Sequence, residues 1–141
     1  AGAAIGQPPA MTLDEIEQAV GEHLAALSPA PDIAWPNKDF TPDGEYVEFR
    51  HIPNERVDPV ISGGYEYQIG IFLLSAVTAS GGYSGAANTL AQRVADRFPK
   101  ALRLAAGGGS VVISAPARFG TPFQDGTRFR VPVEVRYITE G

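Results

Sequence analysis

Hydrophobic positions recur at three- and four-residue spacing near the start of the chain, between residues 12 and 28. The apolar side chains on this stripe are Leu13, Ile16, Val20, Leu24 and Leu27. A single apolar stripe backed by polar residues predicts an amphipathic helix. Thr12 with Glu15 three positions later matches a capping box, which marks the start of the helix, and Pro29 marks its end.

The same spacing returns over residues 86–98 and predicts a second helix. Its apolar side chains are Ala87, Leu90, Ala91, Val94 and Phe98. A glycine-rich turn at residues 80–85 precedes this helix, and Ser84 stands where an N-cap is expected. Residues 32–43 predict an extended connector, because a residue before proline avoids helical backbone geometry.

Alternating or β-branched apolar positions predict four strands, over residues 45–52, 65–79, 110–115 and 127–138. Pro53 ends the first of them. Leu102 and Leu104 are expected to add a helical turn before a glycine hinge at residues 107–109, and the Asp125-Gly126 pair predicts a tight turn before the last strand.

Two of these strands carry more detailed expectations. In the long strand, the odd positions, including Ile71 and Leu73, are expected to share one face. The opposite face begins with Gln68 and continues with Phe72, so the strand is expected to start exposed on that side and to end covered on both. Pro132 removes a hydrogen-bond donor from the last strand, which favours an edge strand or a bulge over a central position.

These elements follow one another in the order α-β-β-α-β-β. We therefore expect residues 11–141 to form a single α+β domain, with a largely antiparallel sheet of four or more strands and two main helices packed on one face. Residues 1–10 precede Met11, the only methionine, and are expected to be a vector-derived remnant or a flexible arm outside the domain.

Composition narrows the classes of function. Apolar residues make up 44% of the chain and charged residues 19%, as in a globular protein. A net charge of −5 argues against a surface that wraps nucleic acid, since such surfaces cluster Lys and Arg. The absence of cysteine excludes thiolate metal sites and cysteine nucleophiles, and the apolar runs are too short for a membrane span.

The strongest candidate for chemistry is the run GYSGA at residues 82–86, between a strand and a helix. A hydrolase nucleophile elbow needs glycine where this chain has Ala86, and its histidine follows the serine, whereas His23 and His51 both precede Ser84. A glycine-rich turn with Ser84 capping the helix is the favoured interpretation. The turn also lacks the lysine of a phosphate-binding loop.

Neither histidine belongs to a recognisable ligand set. His23 lies beside the apolar stripe of the first helix, and His51 shares a strand face with Val47 and Phe49, so each is expected to be a packed or interfacial residue. No catalytic residue, metal site or cofactor is expected.

Several segments together resemble the phage tail-terminator family. They are the IAWPN segment at residues 33–37, Phe40, the strand at Tyr46 and Val47, the glycine-rich turn at residues 81–85, the helix ending at Phe98, and the RVPVE strand at residues 130–134. The resemblance runs from about Leu13 to Tyr137. It implies a structural protein that forms a ring, usually a hexamer, at the head-proximal end of a long non-contractile tail tube, after assembly in the host bacterial cytoplasm.

The function expected from the resemblance is a tail terminator that stops tube polymerisation and joins the tail to the head. Its partners would be copies of itself, the tail tube protein and a head-completion or connector protein, with DNA passing through the lumen unbound and no membrane. Aromatic and polar residues at element ends are the candidate interface: Trp35, Asn37, Tyr65, Tyr67, Tyr83 and Ser84.

Two alternatives stay open from the residues alone. A head-completion or tail-tube subunit of similar size would show the same pattern of packing residues. A small hydrolase or ligand-binding domain would use Ser84 and the aromatic loops.

Overall fold

A computed structural model describes residues 11–36, 38, 40, 44–57, 67–79 and 85–140. Its two helices are α1 Leu13–Ala25 and α2 Gly85–Arg97. The strands, numbered along the chain, are β1 Ile33–Ala34, β2 Tyr46–Val57, β3 Tyr67–Ala79, β4 Arg103–Ala106, β5 Gly109–Ile113, β6 Arg118–Phe119, β7 Phe123–Asp125, β8 Arg128–Val131 and β9 Val133–Glu140.

All of these strands belong to one sheet, with the order β1-β2-β3-β9-β5-β4. β8 extends the pairing along β3, β6 pairs with β9, and β7 pairs with β8. Every described pairing is antiparallel except the short one between β1 and β2. The mixed α+β class and the mostly antiparallel sheet are confirmed. The expected order α-β-β-α-β-β is incomplete, because short strands surround the long ones.

The core lies between the helices and one face of the sheet. Both helices contribute to it: Ile16, Val20 and Leu24 from α1, and Ala87, Leu90, Ala91 and Val94 from α2 are buried in one cluster with Phe72, Leu74 and Ala76 of β3. Thr12 and Glu15 form the expected capping box. Leu13, which the spacing placed on the buried stripe, is 43% exposed, because it lies in the first turn of α1 beyond the edge of the core.

One expectation for β3 is wrong: the face of its even positions is not exposed at the start of the strand. Its even positions face the helices, and Gln68, expected to be exposed, is only 4% exposed. The Gln68 side chain donates to the Met11 carbonyl, and its backbone N–H donates to Thr139 Oγ1 at 2.8 Å. A polar side chain with such partners can be buried at little cost. The odd positions Ile71 and Leu73 lie half-buried on the other face, while the end of the strand is covered on both faces, as expected.

Pro53 does not end its strand. β2 continues to Val57, with a register shift between Pro53 and Glu55. Among the described strands, β1 pairs only with Val47 and Glu48, so no described strand borders the outer side of β2 beyond that point. A proline is tolerated there because no described strand needs its missing N–H. Residues 102–104 likewise form no helical turn, since they enter the β4–β5 hairpin.

Pro132 lies in neither an edge strand nor a bulge. β9 is flanked by β3 and β5, and the register against β3 is the same before Pro132, where Val131 faces Ala76, and after it, where Glu134 faces Leu73. The Pro132 carbonyl accepts from the Gly120 N–H at 2.9 Å. The N–H and C=O of one strand residue point to the same side of the strand. An N–H at position 132 would therefore point toward the end of β6, and its absence does not affect the hydrogen bonds to β3.

The ends of the two helices are joined by a reciprocal pair of hydrogen bonds. His23 Nε2 lies 2.8 Å from the Arg97 carbonyl, and Arg97 Nε donates to the His23 carbonyl at 2.9 Å. The His23 ring also meets the edge of Phe98 at 5.1 Å between centroids. Partial burial lowers the pKa of His23 below 6.5. The hydrogen bond to the Arg97 carbonyl opposes this shift, and the Arg97 charge adds a smaller effect in the same direction as burial. His23 is therefore the packed histidine expected from the sequence.

This geometry predicts a pH dependence of stability. The pKa of His23 is lower in the folded chain than in the unfolded one, so the unfolded chain takes up the proton first as the pH falls. The stabilisation from neutral His23 is complete above about pH 6.5 and decreases below it. We expect the melting temperature of His23→Gln to fall less steeply than that of wild type between about pH 7 and pH 5. Equal slopes for the two proteins would contradict this role.

Candidate functional site

Of the residues expected to form an interface, the structure describes Trp35 and Tyr67, and it places them far apart. Trp35 follows β1 and packs on α1, where Gly21 leaves room for it: a Cβ on Gly21 would lie 2.8 Å from the indole ring. Tyr67 begins β3 and pairs with Val57, at the far end of the β2–β3 ladder from the β1 contact. The other candidates, Asn37, Tyr65, Tyr83 and Ser84, lie outside the described residues. Their role in an interface stays a prediction.

A buried network that the sequence did not reveal joins α1 to the sheet. His51 Nδ1 lies 2.9 Å from Glu17 Oε2, and His51 Nε2 lies 2.6 Å from the Tyr137 hydroxyl. The imidazole stacks on Phe72, with 4.4 Å between ring centroids and 9° between ring planes. These residues are separated by 34 and 86 positions in the chain, so no local spacing signals their contact.

The protonation of Tyr137 follows from its burial. Tyr137 is 1% exposed, and burial, with the nearby Glu17 charge, raises its pKa to about 12. Tyr137 therefore keeps its proton at neutral pH. Each ring nitrogen of His51 lies within hydrogen-bond distance of one partner, Nδ1 of the Glu17 carboxylate and Nε2 of the Tyr137 hydroxyl.

Gly70 makes this arrangement possible. A Cβ at Gly70 would lie 2.5 Å from the Tyr137 hydroxyl oxygen and 2.7 Å from its ring. Any larger residue on β3 would push Tyr137 away from His51. The side chain of His51 is 3% exposed and both of its nitrogens are occupied, so the network has a structural role and leaves no free base for a nucleophile.

The pocket that the described residues form at the edge of β2 is open and does not enclose a small molecule. A groove of about 900 Å³ curves round the edge of β2, with Trp35 and His51 on its helix side and Arg50 and Arg130 on the other side of the sheet. It is an open channel at a sheet edge. Within the described ranges, no group of three or more His, Asp or Glu side chains could hold a metal ion. Neither of the helices described has the length and apolarity that a bilayer span requires.

The face of the sheet away from the helices carries a contiguous aliphatic patch. Its members, hereafter the aliphatic patch, are Ile52, Ile69, Ile71, Leu73, Val112 and Ile138. The strand registers place them side by side, since Ile52 pairs with Ile71, and Ile69 with Ile138, which in turn pairs with Val112. Each is partly exposed, and Ile52 is 43% exposed.

Charged residues surround this patch on the same face. Arg118 and Arg136 share Glu134 at 3.8 and 3.0 Å, and Arg103 pairs with Glu140. Arg50, opposite Leu73, forms no ion pair within the described part of the chain. Among the described side chains next to the patch, these residues make four arginines and two carboxylates, and Arg130 with its partners Glu48 and Asp125 lies further along the same face.

The outer face of α1 is acidic, in contrast to the arginines around the aliphatic patch. Over its 13 residues α1 carries Asp14, Glu15, Glu17 and Glu22 and no Lys or Arg. Glu15 is used in the capping box and Glu17 binds His51, whereas Asp14 and Glu22 are exposed on the outer surface with Gln18 between them.

The network around His51 predicts a specific loss of stability. Tyr137→Phe would remove the partner of His51 Nε2 inside the core, and an unsatisfied buried polar atom costs about 1–3 kcal/mol. Chemical denaturation should show that loss. Tyr46→Phe is the matched control, because Tyr46 is nearly as buried and its hydroxyl bonds no described residue. Similar losses for both variants would show that the hydroxyl bond to His51 contributes nothing.

Comparison with known proteins identifies the family. The model of the phage tail terminator protein family matches residues 15–137. A solved structure without a functional name is 27% identical, with a TM-score of 0.77, and the match covers 93% of this chain and 97% of that one. A chain in the virion of a native gene transfer agent particle shares the fold at 20% identity and a TM-score of 0.63, covering 89% of this chain and 95% of its own. No curated protein has a detectably similar sequence. The chain belongs to the phage tail terminator family and is a structural protein of the phage tail.

Proposed function

We propose that this protein is the tail terminator itself: a ring of copies that caps the head-proximal end of the tail tube, stops tube polymerisation and forms the joint with the head. The observation that carries the proposal is the family match over residues 15–137, which spans the helices and nearly the whole sheet. We propose six copies, as the resemblance implies, with the head-completion or connector protein on the other side of the ring.

Three features of the chain support this role. Both histidines are engaged in packing, His23 with Arg97 and His51 with Glu17 and Tyr137, so no described histidine is available to activate Ser84. The sheet leaves one face with an exposed aliphatic patch, which favours contact with protein. The net charge of −5 would limit adhesion of DNA that passes through the ring.

The role can be tested by adding the purified protein to tail tubes that are growing from tube protein of the same phage. We expect elongation to stop at substoichiometric amounts and electron micrographs to show a ring at one end of each tube. The matched control is Val20→Asp, which places a charge in the core at a fully buried position and should not cap tubes.

Other outcomes would select the alternatives. Incorporation along the length of the tube would identify a tube subunit, and binding to heads without binding to tubes would identify a head-completion protein. Turnover of an activated ester that is lost in Ser84→Ala would contradict the absence of enzymatic activity.

A further inference from the structure

We propose that the aliphatic patch on the open face of the sheet docks on the outer face of α1 in a neighbouring copy. The inference rests on the proposed function, since a ring requires that copies bind one another, and it assigns the two surfaces that meet.

The first reason is the concentration of partly exposed aliphatic side chains on one face of the sheet. Six aliphatic side chains lie together on β2, β3, β5 and β9. A partner that covered them would gain about 25 cal/mol for each Å² of apolar surface removed from water. The opposite face of β3 already holds both helices, so the protein's own helices cannot cover the patch.

The second reason is complementary charge. Among the described side chains directly around the patch, Arg50, Arg103, Arg118 and Arg136 outnumber the carboxylates of Glu134 and Glu140. The outer face of α1 presents Asp14 and Glu22 without any Lys or Arg. Contact between the two surfaces would bring Arg50, which has no described ion-pair partner, close to a carboxylate. Complementary potentials of this kind fix the orientation of partners more than they raise affinity.

The third reason is the placement of the two surfaces within one copy. The aliphatic patch and α1 lie on opposite sides of the sheet, so a copy cannot satisfy its own patch with its own α1. Two different surfaces of the same chain then meet in a heterologous, head-to-tail contact, which is the type of contact that generates rings.

Single cysteines can test this contact without interference, since the chain contains none. Ile52→Cys places a thiol in the patch and Gln18→Cys places one on the outer face of α1, both at exposed positions. The two variants are mixed under mild oxidation, and the disulfide products are distinguished by mass. Lys100→Cys, exposed in the turn before β4 and on neither surface, replaces Gln18→Cys in the control mixture.

We expect the mixed disulfide between the Ile52→Cys and Gln18→Cys chains to form at least about tenfold faster than the control disulfide, because docking raises the effective thiol concentration. Arg50→Glu in the Ile52→Cys chain should slow the reaction about two- to fivefold, as expected for one exposed charge pair. Glu22→Lys in the Gln18→Cys chain should then recover part of that loss.

Two results would overturn the inference. One is a mixed disulfide that forms no faster than the control. The other is a dominant product between two Ile52→Cys chains, which would show that the patches meet face to face. Rings seen on tail tubes without the mixed disulfide would overturn the choice of surfaces and leave the tail-capping role standing. A rapid mixed disulfide with uncapped tubes would support the contact and count against that role.

Discussion

The burial of one face of β3 under two helices is the constraint on which the rest of the structure depends. β3 pairs with β2 on one side and with β8 and β9 on the other, so it carries the centre of the sheet. The side chains at its even positions form the surface on which α1 and α2 pack, and they include Phe72 and Leu74. Because successive residues on a strand point to opposite faces, this choice also decides which side chains remain for a partner.

Close packing between the helices and this face of the sheet explains the positions of two glycines and a buried polar network. Gly21 lets Trp35 approach α1, and Gly70 lets Tyr137 cross β3 to reach His51. The bond from His51 to Glu17 then fixes α1 against β2. No buried side-chain nitrogen or oxygen among the described residues lacks a hydrogen-bond partner. These titratable groups therefore hold the body of the domain together.

The face of the sheet that the helices leave open has a different use. It combines aliphatic side chains with an arginine-rich rim, whereas the outer side of α1 is acidic. A structural protein of the phage tail works by contact with other virion components. In the proposed ring, the two surfaces lie on opposite sides of one sheet, so each copy would offer one surface while it received the other.

The sequence by itself determined both helices, the four main strands and the family. Local periodicity and capping depend only on near neighbours, as Thr12 and Glu15 show. Tertiary structure alone decided which face of β3 is buried, because both faces are apolar and Gln68 finds its partners only after folding. It also decided that Pro132 can lie between β8 and β9 without disturbing their pairing with β3, since only the position of Gly120 shows where the missing donor points. The aliphatic patch and the Glu17, His51 and Tyr137 network join residues far apart in the chain, and such contacts leave no local signal.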